Sequence, residues 1–251
     1  GFLDAEEQAL DTIRRLSGAC AVFIGHTRRN TGPGKPLFNC VSVFRNGQCI
    51  ATVRKRLLPN CDVFNENRYF GPGEQPAVID LDGTRFGVTV CEDGWNTPFS
   101  NAPELYDDDP IADCVKAGAD VIVNIAASPF TYMKVAFREE MFGKIAAHHG
   151  KPLIMTNQAG GVDGVIFDGM SAAFDAQGQL SARCRSFEAD ICILEMGKPA
   201  DPLPVTDHAD NRLIHDALVC GIRDFIRKIG ATQIHLGLSG GIDSALVAVL
   251  A

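Results

Sequence analysis

The sequence predicts an α/β sandwich in which two mixed β-sheets pack face to face with helices outside. Three observations lead there. Short apolar runs, such as residues 121–126, have the length and bounds of buried strands. Two dipeptides, Asn46-Gly47 and Asp82-Gly83, mark two-residue hairpins, because both central residues of such a turn need positive φ. Segments with helical spacing alternate with strands only in part, which excludes a purely parallel doubly wound sheet for most of the chain.

Taken in order, Leu3, Leu10, Ile13 and Leu16 recur at helical intervals and place a helix over 2–16. A strand follows over 20–25, then the pair 38–44 and 49–54 around Asn46-Gly47. Around Asp82-Gly83 a second hairpin sends its outgoing strand over 85–90 and delivers Cys91 to that strand's end. Beyond lie a helix near 112–117, a buried strand over 121–126, a helix over 132–148, a strand over 153–157 and hairpin-like pieces from 165 to 194. Residues 196–210 carry Pro199, Pro202 and Pro204 among aspartates, a composition suited to neither helix interior nor central strand, and read as a linker. After it, Leu213, Ala217, Cys220, Phe225, Ile226 and Ile229 mark an amphipathic helix, followed by a strand over 233–238, a glycine turn and a helical start over 245–251.

Composition narrows the function classes. Of the 251 residues, 46% are apolar and 22% charged, the balance of a globular protein. The net charge of −8 argues against a nucleic-acid groove, which needs clustered cations to displace counterions. No apolar run approaches a bilayer span, so no membrane role is expected and a cytoplasmic location is. The nine cysteines are odd in number, scattered and without C-x-x-C, suggesting neither a disulfide framework nor a zinc site; most are expected to be buried small hydrophobes.

Two strings carry chemistry. Gly237-Leu238-Ser239-Gly240-Gly241-Ile242-Asp243-Ser244 lies between an apolar run and an apolar helical start. Glycines let backbone approach an anion, a helix N-terminus supplies N–H donors, and two serines add hydroxyls, all suited to phosphate. The string is neither a Walker A loop nor G-x-G-x-x-G. It resembles the SGGxDS loop of the ATP-pyrophosphatase family, which includes the NAD, GMP and asparagine synthetases. That resemblance implies ATP cleaved to AMP and pyrophosphate and residues 237–244 as the ATP site; Asp243, an acidic residue beside phosphates it would otherwise repel, reads most simply as a Mg2+-binding or ATP-orienting group.

The second string centres on Cys91, after Phe86-Gly87-Val88-Thr89-Val90 and before Glu92-Asp93-Gly94-Trp95. Read alone, a cysteine packs more often than it reacts. Lys55 at the end of the 49–54 strand, and Glu66 opening the pattern E-x-x-x-F-x-P-G through Gly73, change that weighting, since a lysine beside a thiol favours thiolate and holds a developing oxyanion. The order K…E-x-x-x-F-x-P-G…V-C-E-D resembles the nitrilase superfamily and implies its α-β-β-α sandwich. Carried over by motif, Cys91 is the nucleophile, Lys55 the oxyanion stabiliser, Glu66 the acid that orients it, and the backbone N–H of Glu92 completes the oxyanion hole. The resemblance also implies a glutamine pocket at Cys61, Phe64, Ser128 and Lys134, with Cys61 standing where the family usually has tyrosine.

Joining these two strings points to the family of glutamine-dependent NAD synthetases, because the other synthetases with this loop use unrelated glutaminases. The implied reaction is ATP-dependent amidation of deamido-NAD with ammonia from glutamine, by a homo-oligomer of the full-length chain. The implied domains are a glutaminase over 1–195, a linker over 196–210 and the start of the synthetase over 211–251. The family's general base is a glutamate on a strand ahead of the first helix. The acids before Lys55 here are Asp4, Glu6, Glu7 and Asp11, all in the predicted helix. The chain alone is therefore expected to lack turnover, with Leu246, Val247 and Val249 exposed. Residues Arg138 to Glu140, Asn157 to Gly161 and Phe167 to Gly169 also match that family; for these a structural role is preferred. Two alternatives are a free-standing nitrilase-type amidase and a truncated chain that folds and binds ligand without turnover.

Overall fold

A computed structural model describes residues 1–61, 63–100, 105–196, 203–204, 206 and 211–251. Of the predicted linker over 196–210, only residues 196, 203, 204 and 206 fall among the described residues. The chain divides into two compact units: residues 1–126, 142–155 and 174–178 form the first, and residues 127–141, 156–173 and 179–251 the second.

In the first unit, β1 (Val22–Arg29), β2 (Leu37–Arg45) and β3 (Gln48–Arg54) make an antiparallel sheet with β2 in the middle. Val22 pairs with Phe44 and Arg29 with Leu37; Cys40 pairs with Arg54, and the β2–β3 register shifts at Val43/Phe44. Central position explains why β2 is buried almost throughout. β4 (Val78–Leu81) and β5 (Thr84–Val90) form a hairpin; β5 runs parallel to β6 (Val121–Ala126), and β7 (Leu153–Asn157) lies beyond β6. Both hairpin dipeptides take the predicted geometry, with φ of 51° and 74° at Asn46-Gly47 and 55° and 87° at Asp82-Gly83.

The two sheets meet through Val41 and Val53 on one side and Val88 and Val90 on the other, ringed by Phe23, Ile79, Phe86 and Ile125. Helices cover the outer faces. α1 (Phe2–Leu16) lies on the first sheet, where Glu6 accepts from the Thr27 N–H at 2.9 Å. A short α2 (Glu66–Tyr69) begins after Asn65, and α3 (Pro110–Lys116) packs on β5 where glycine is required: a Cβ on Gly87 would lie 2.8 Å from that of Cys114. α4 (Lys134–His149) brings Phe142 against Trp95, ring centroids 6.3 Å apart.

In the second unit, β8 (Ala159–Val162) and β9 (Val165–Asp168) form a hairpin, and β10 (Ala172–Phe174) lies beside β11 (Leu180–Arg183). α5 (Asn211–Lys228) packs on that hairpin: Gly161 N–H donates to Asp224 at 2.8 Å, and Phe187 sits against Ala217 and Cys220. α6 (Ile242–Leu250) begins at the glycine turn, with Leu246, Val247 and Val249 exposed.

Two expectations are corrected. Residues 233–238 form no strand. Their pattern suits a central parallel strand, but a strand exists only through ladder partners and none of the described residues supplies one. Nor are most cysteines buried: Cys40, Cys114 and Cys220 are, whereas Cys20, Cys49, Cys61 and Cys192 are exposed. Cys20 precedes β1, Cys49 lies on β3 at the edge of its sheet and Cys61 sits in a loop, places where no second layer covers a side chain. No helix among the described residues is long and apolar enough to cross a membrane.

Candidate active site

Cys91 is the first residue after β5 and has φ of 45°, left-handed backbone that a non-glycine residue adopts at a cost of about 1–2 kcal/mol. It opens a 3₁₀ turn, Cys91–Gly94. Such a bend lifts the side chain off the strand direction while β5 keeps its backbone fixed. Neighbouring groups over-determine the bend. Asn124 on β6 is buried and donates from Nδ2 to the Cys91 carbonyl at 3.2 Å and to Thr89 Oγ1 at 3.0 Å. A Cβ on Gly94 would come within 2.9 Å of the Phe142 ring and 3.0 Å of Asn124 Nδ2, so glycine is needed there.

Asp93 ties the turn to the lysine segment. Its Oδ2 accepts from the Val90 N–H at 2.9 Å, and its Oδ1 accepts from the N–H groups of Arg56 and Leu57 at 3.0 and 2.7 Å. The carboxyl is 3% exposed. Burial pushes its pKa up to about 6 against the pull of those three donors and of the Lys55 charge.

Lys55 ends β3. Its backbone N–H donates to Asn39 O at 2.8 Å and its carbonyl accepts from Gly73 N–H at 2.7 Å. The latter requires a very close approach, since a Cβ on Gly73 would lie 2.5 Å from Arg54 O. The Lys55 side chain is 1% exposed, and its Nζ donates to Glu66 Oε1 at 2.6 Å. Glu66, 12% exposed, is the first residue of α2, and its other oxygen accepts from Asn39 Nδ2 at 3.4 Å. A cation so buried persists only with a counter-ion in place, so this is no surface pair. Tyr106 donates to Glu92 Oε1 at 3.5 Å; burial, with the Glu92 charge beside it, holds the phenol protonated well above its usual range.

The first unit thus carries Cys91, Lys55, Glu66 and Glu92, with Cys61 and Phe64 in the loop between Lys55 and α2, where the Phe64 N–H donates to Cys61 O at 3.0 Å. Ser128 and Lys134 belong to the second unit. Ser128 is buried; its N–H donates to Asn157 Oδ1 at 2.8 Å, and Asn157 Nδ2 donates to Asp168 Oδ1 at 3.2 Å. Asp168 is in turn gripped by Arg138 through two bonds of 2.5 and 3.1 Å. The structural role preferred for Arg138, Asn157 and Asp168 fits this network, which seats Ser128. At the phosphate loop, Ser239 and Ser244 hydroxyls lie 3.0 Å apart, and Ser239 Oγ accepts from Gly241 N–H at 3.3 Å. Gly240 has φ of 84°, and Asp243 stands exposed in the first turn of α6.

Asp93, Asn124 and Gly73 are the site-building residues that sequence reading passed over. Asp93 and Gly73 lie inside quoted motifs, but the partners that tie them to the lysine segment are backbone groups far away in sequence; Asn124 had only its place in a buried strand as a signal.

A strand-end cysteine on a strained bend and a buried lysine–carboxylate pair are thus carried by the two-sheet sandwich of the first unit. The family model for carbon-nitrogen hydrolase matches residues 17–198, and the chain belongs to that family. Residues 214–251 match the family model for NAD synthase. One chain thus matches both family models, the second over residues 214–251 alone. It is 33% identical over 263 residues to the glutamine-dependent NAD(+) synthetase of Synechocystis sp., covering 100% of this chain and 47% of that protein. To the synthetase of the same name from Aquifex aeolicus it is 32% identical over 293 residues, covering 100% and 48%. The chain spans about half the length of these relatives. The solved glutamine-dependent NAD+ synthetase from Acinetobacter baumannii, in complex with ADP, superposes with a TM-score of 0.84 at 27% identity over 97% of this chain and 44% of that one. An amidase of the nitrilase superfamily from Nesterenkonia shares the fold, with a TM-score of 0.58 at 22% identity over 74% and 64%.

Proposed function

We propose that this chain provides the glutamine-hydrolysing half, and the opening ATP-binding segment, of an enzyme that amidates deamido-NAD to NAD. The observation that carries the reading is the Lys55–Glu66 pair, buried at 2.6 Å in the same unit as the bent, strand-end Cys91. A charged lysine kept out of water by a carboxylate is placed to receive negative charge, not to remove a proton.

In this reading the Cys91 thiolate attacks the carboxamide carbon of glutamine. The carbonyl electrons move to oxygen, where Lys55 Nζ and the Glu92 N–H hold the oxyanion. Collapse breaks the C–N bond as the nitrogen takes up the proton the thiol gave up, ammonia leaves, and water cleaves the γ-glutamyl thioester to glutamate, returning the thiol. Cys61 and Phe64 are the proposed glutamine contacts of the first unit. ATP is proposed to bind along residues 237–244, where the glycine turn, two serine hydroxyls and the N-terminal N–H groups of α6 suit phosphate oxygens. Asp243 is the residue suited to Mg2+, which would neutralise phosphate charge. The nicotinate carboxylate becomes an adenylate with loss of pyrophosphate, and ammonia displaces AMP to give the amide.

The test is acid-quench mass spectrometry of the full polypeptide that carries this chain, mixed with glutamine. A γ-glutamyl thioester mapped to Cys91, absent when alanine replaces it, is expected. Glutamine turnover with no adduct on Cys91, or an adduct on another cysteine, would overturn the assignment.

A further inference from the structure

Outside the site, two thiols meet. Cys184 follows β11, with its N–H donating to Ser171 O at 2.8 Å, and Cys192 lies eight residues on across a turn. Their sulfurs are 3.1 Å apart, about 1 Å more than an S–S bond. Asp190 sits with them. A soft metal suits this group poorly. Two thiolates about 2.3 Å from a tetrahedral zinc stand roughly 3.8 Å apart. The Asp190 carboxylate is also already engaged, accepting from the N–H groups of Arg185 and Ile191 at 2.8 and 2.9 Å.

We propose that Cys184 and Cys192 form a reversible dithiol–disulfide couple, oxidised by a hydroperoxide, that clamps the segment seating Phe187 on α5. That segment is built to be clamped. Phe187 is buried between Phe130, whose ring centroid is 5.2 Å away, and α5 residues Ala217 and Cys220. Its φ of 57° is left-handed, and its carbonyl accepts from Arg223 of α5 at 3.4 Å. A link across its two ends would restrict the openings that this strained bend favours.

The exposed Cys192 meets the oxidant first. Its thiolate attacks one peroxide oxygen and the O–O bond breaks, leaving a sulfenic acid; the departing hydroxide gains a proton to become water. The Cys184 sulfur then attacks the sulfenic sulfur, the S–S bond forms, and the second oxygen leaves as water with the Cys184 proton. Two thiols lose two electrons and two protons, and the peroxide becomes two waters. A free monothiol or dithiol reverses this by exchange. Burial and the adjacent Cys192 sulfur hold the Cys184 thiol above its usual range, which suits the resolving role better than the attacking one.

The test treats the full polypeptide with hydrogen peroxide, blocks free thiols and maps peptides without reduction. Trypsin cutting after Arg185 severs the chain between the two cysteines, so the peptides stay joined only through sulfur. The proposal expects joined peptides lighter by about 2 Da than the two thiols, and their separation by dithiothreitol. Cys184→Ser is expected to leave a trappable sulfenic acid on Cys192. Cys192→Ser is expected to leave Cys184 reduced. Amide hydrogen exchange at 186–188 is expected to slow by about tenfold or more on oxidation. Independent over-oxidation of the two thiols, retention of zinc that either serine variant abolishes, or unchanged exchange despite the link would overturn it.

Discussion

Replacing Glu66 with glutamine removes one charge and almost no volume, so its effect is electrostatic. The Lys55 side chain is 1% exposed, with Glu66 Oε1 at 2.6 Å. Removing one partner of a buried ion pair costs about 3–5 kcal/mol, because the remaining charge is left uncompensated. Two features soften this. The amide oxygen still accepts from Lys55 Nζ, and the Asp93 carboxylate acts on Lys55 as well. The amide NH₂, however, faces Asn39 Nδ2, itself a donor at 3.4 Å from the present oxygen. A net loss of about 2–3 kcal/mol follows. Losing a positioned oxyanion donor lowers kcat by about 10²–10³-fold. The expected outcome in the full polypeptide is therefore a lower urea midpoint at unchanged m-value, a kcat for glutamine hydrolysis reduced by that factor, KM moved far less, and ammonia-driven amidation intact. Stability within about 0.5 kcal/mol together with unaltered kcat would refute the reasoning.

Asp93→Asn tests the tie between the Cys91 turn and the Lys55 segment. The folded-state pKa of about 6 lies above 3.8, so the stability this group contributes is full below about pH 4 and lost as pH rises through about 6. The asparagine variant should lack that slope in urea titrations at pH 4 and 7, and a slope matching the wild type would contradict the assignment. Gly73→Ala places a Cβ 2.5 Å from Arg54 O, a backbone atom that cannot rotate away. A loss of about 2–4 kcal/mol is expected, with glutaminase kcat falling alongside. Gly164→Ala, where a Cβ meets nothing within 4 Å, should be near neutral, and equal effects at both would refute the packing argument. Asp243→Ala should abolish amidation from either nitrogen source while glutamine hydrolysis persists; unchanged ATP turnover would remove Asp243 from the nucleotide site.

What the sequence disclosed follows from the range of the interactions involved. Hairpins at Asn46-Gly47 and Asp82-Gly83 were legible because the turn residues themselves dictate positive φ. The sheets were legible from runs of Val, Ile and Phe, since burial on both faces leaves little room for polar residues. Lys55, Glu66 and Cys91 were legible only as an ordered pattern; no local feature of Lys55 reveals that it is buried against Glu66. Asp93 and Asn124 were illegible because they hold backbone groups of other segments, which carry no side-chain signature. The strand expected over 233–238 shows the reverse failure, a correct local pattern with no ladder partner among the described residues. Cys184 and Cys192 escaped notice because a turn, not a fixed short spacing, brings their sulfurs together.

The central claim is that Cys91 releases ammonia which a separate ATP-dependent site then uses. It is tested most directly by NAD formation in the full polypeptide carrying Cys91→Ala, supplied with ATP, Mg2+ and deamido-NAD and with either glutamine or ammonium as nitrogen source. The account predicts NAD at the wild-type rate from ammonium and none above background from glutamine. Glutamine-driven NAD formation surviving in that variant would contradict it.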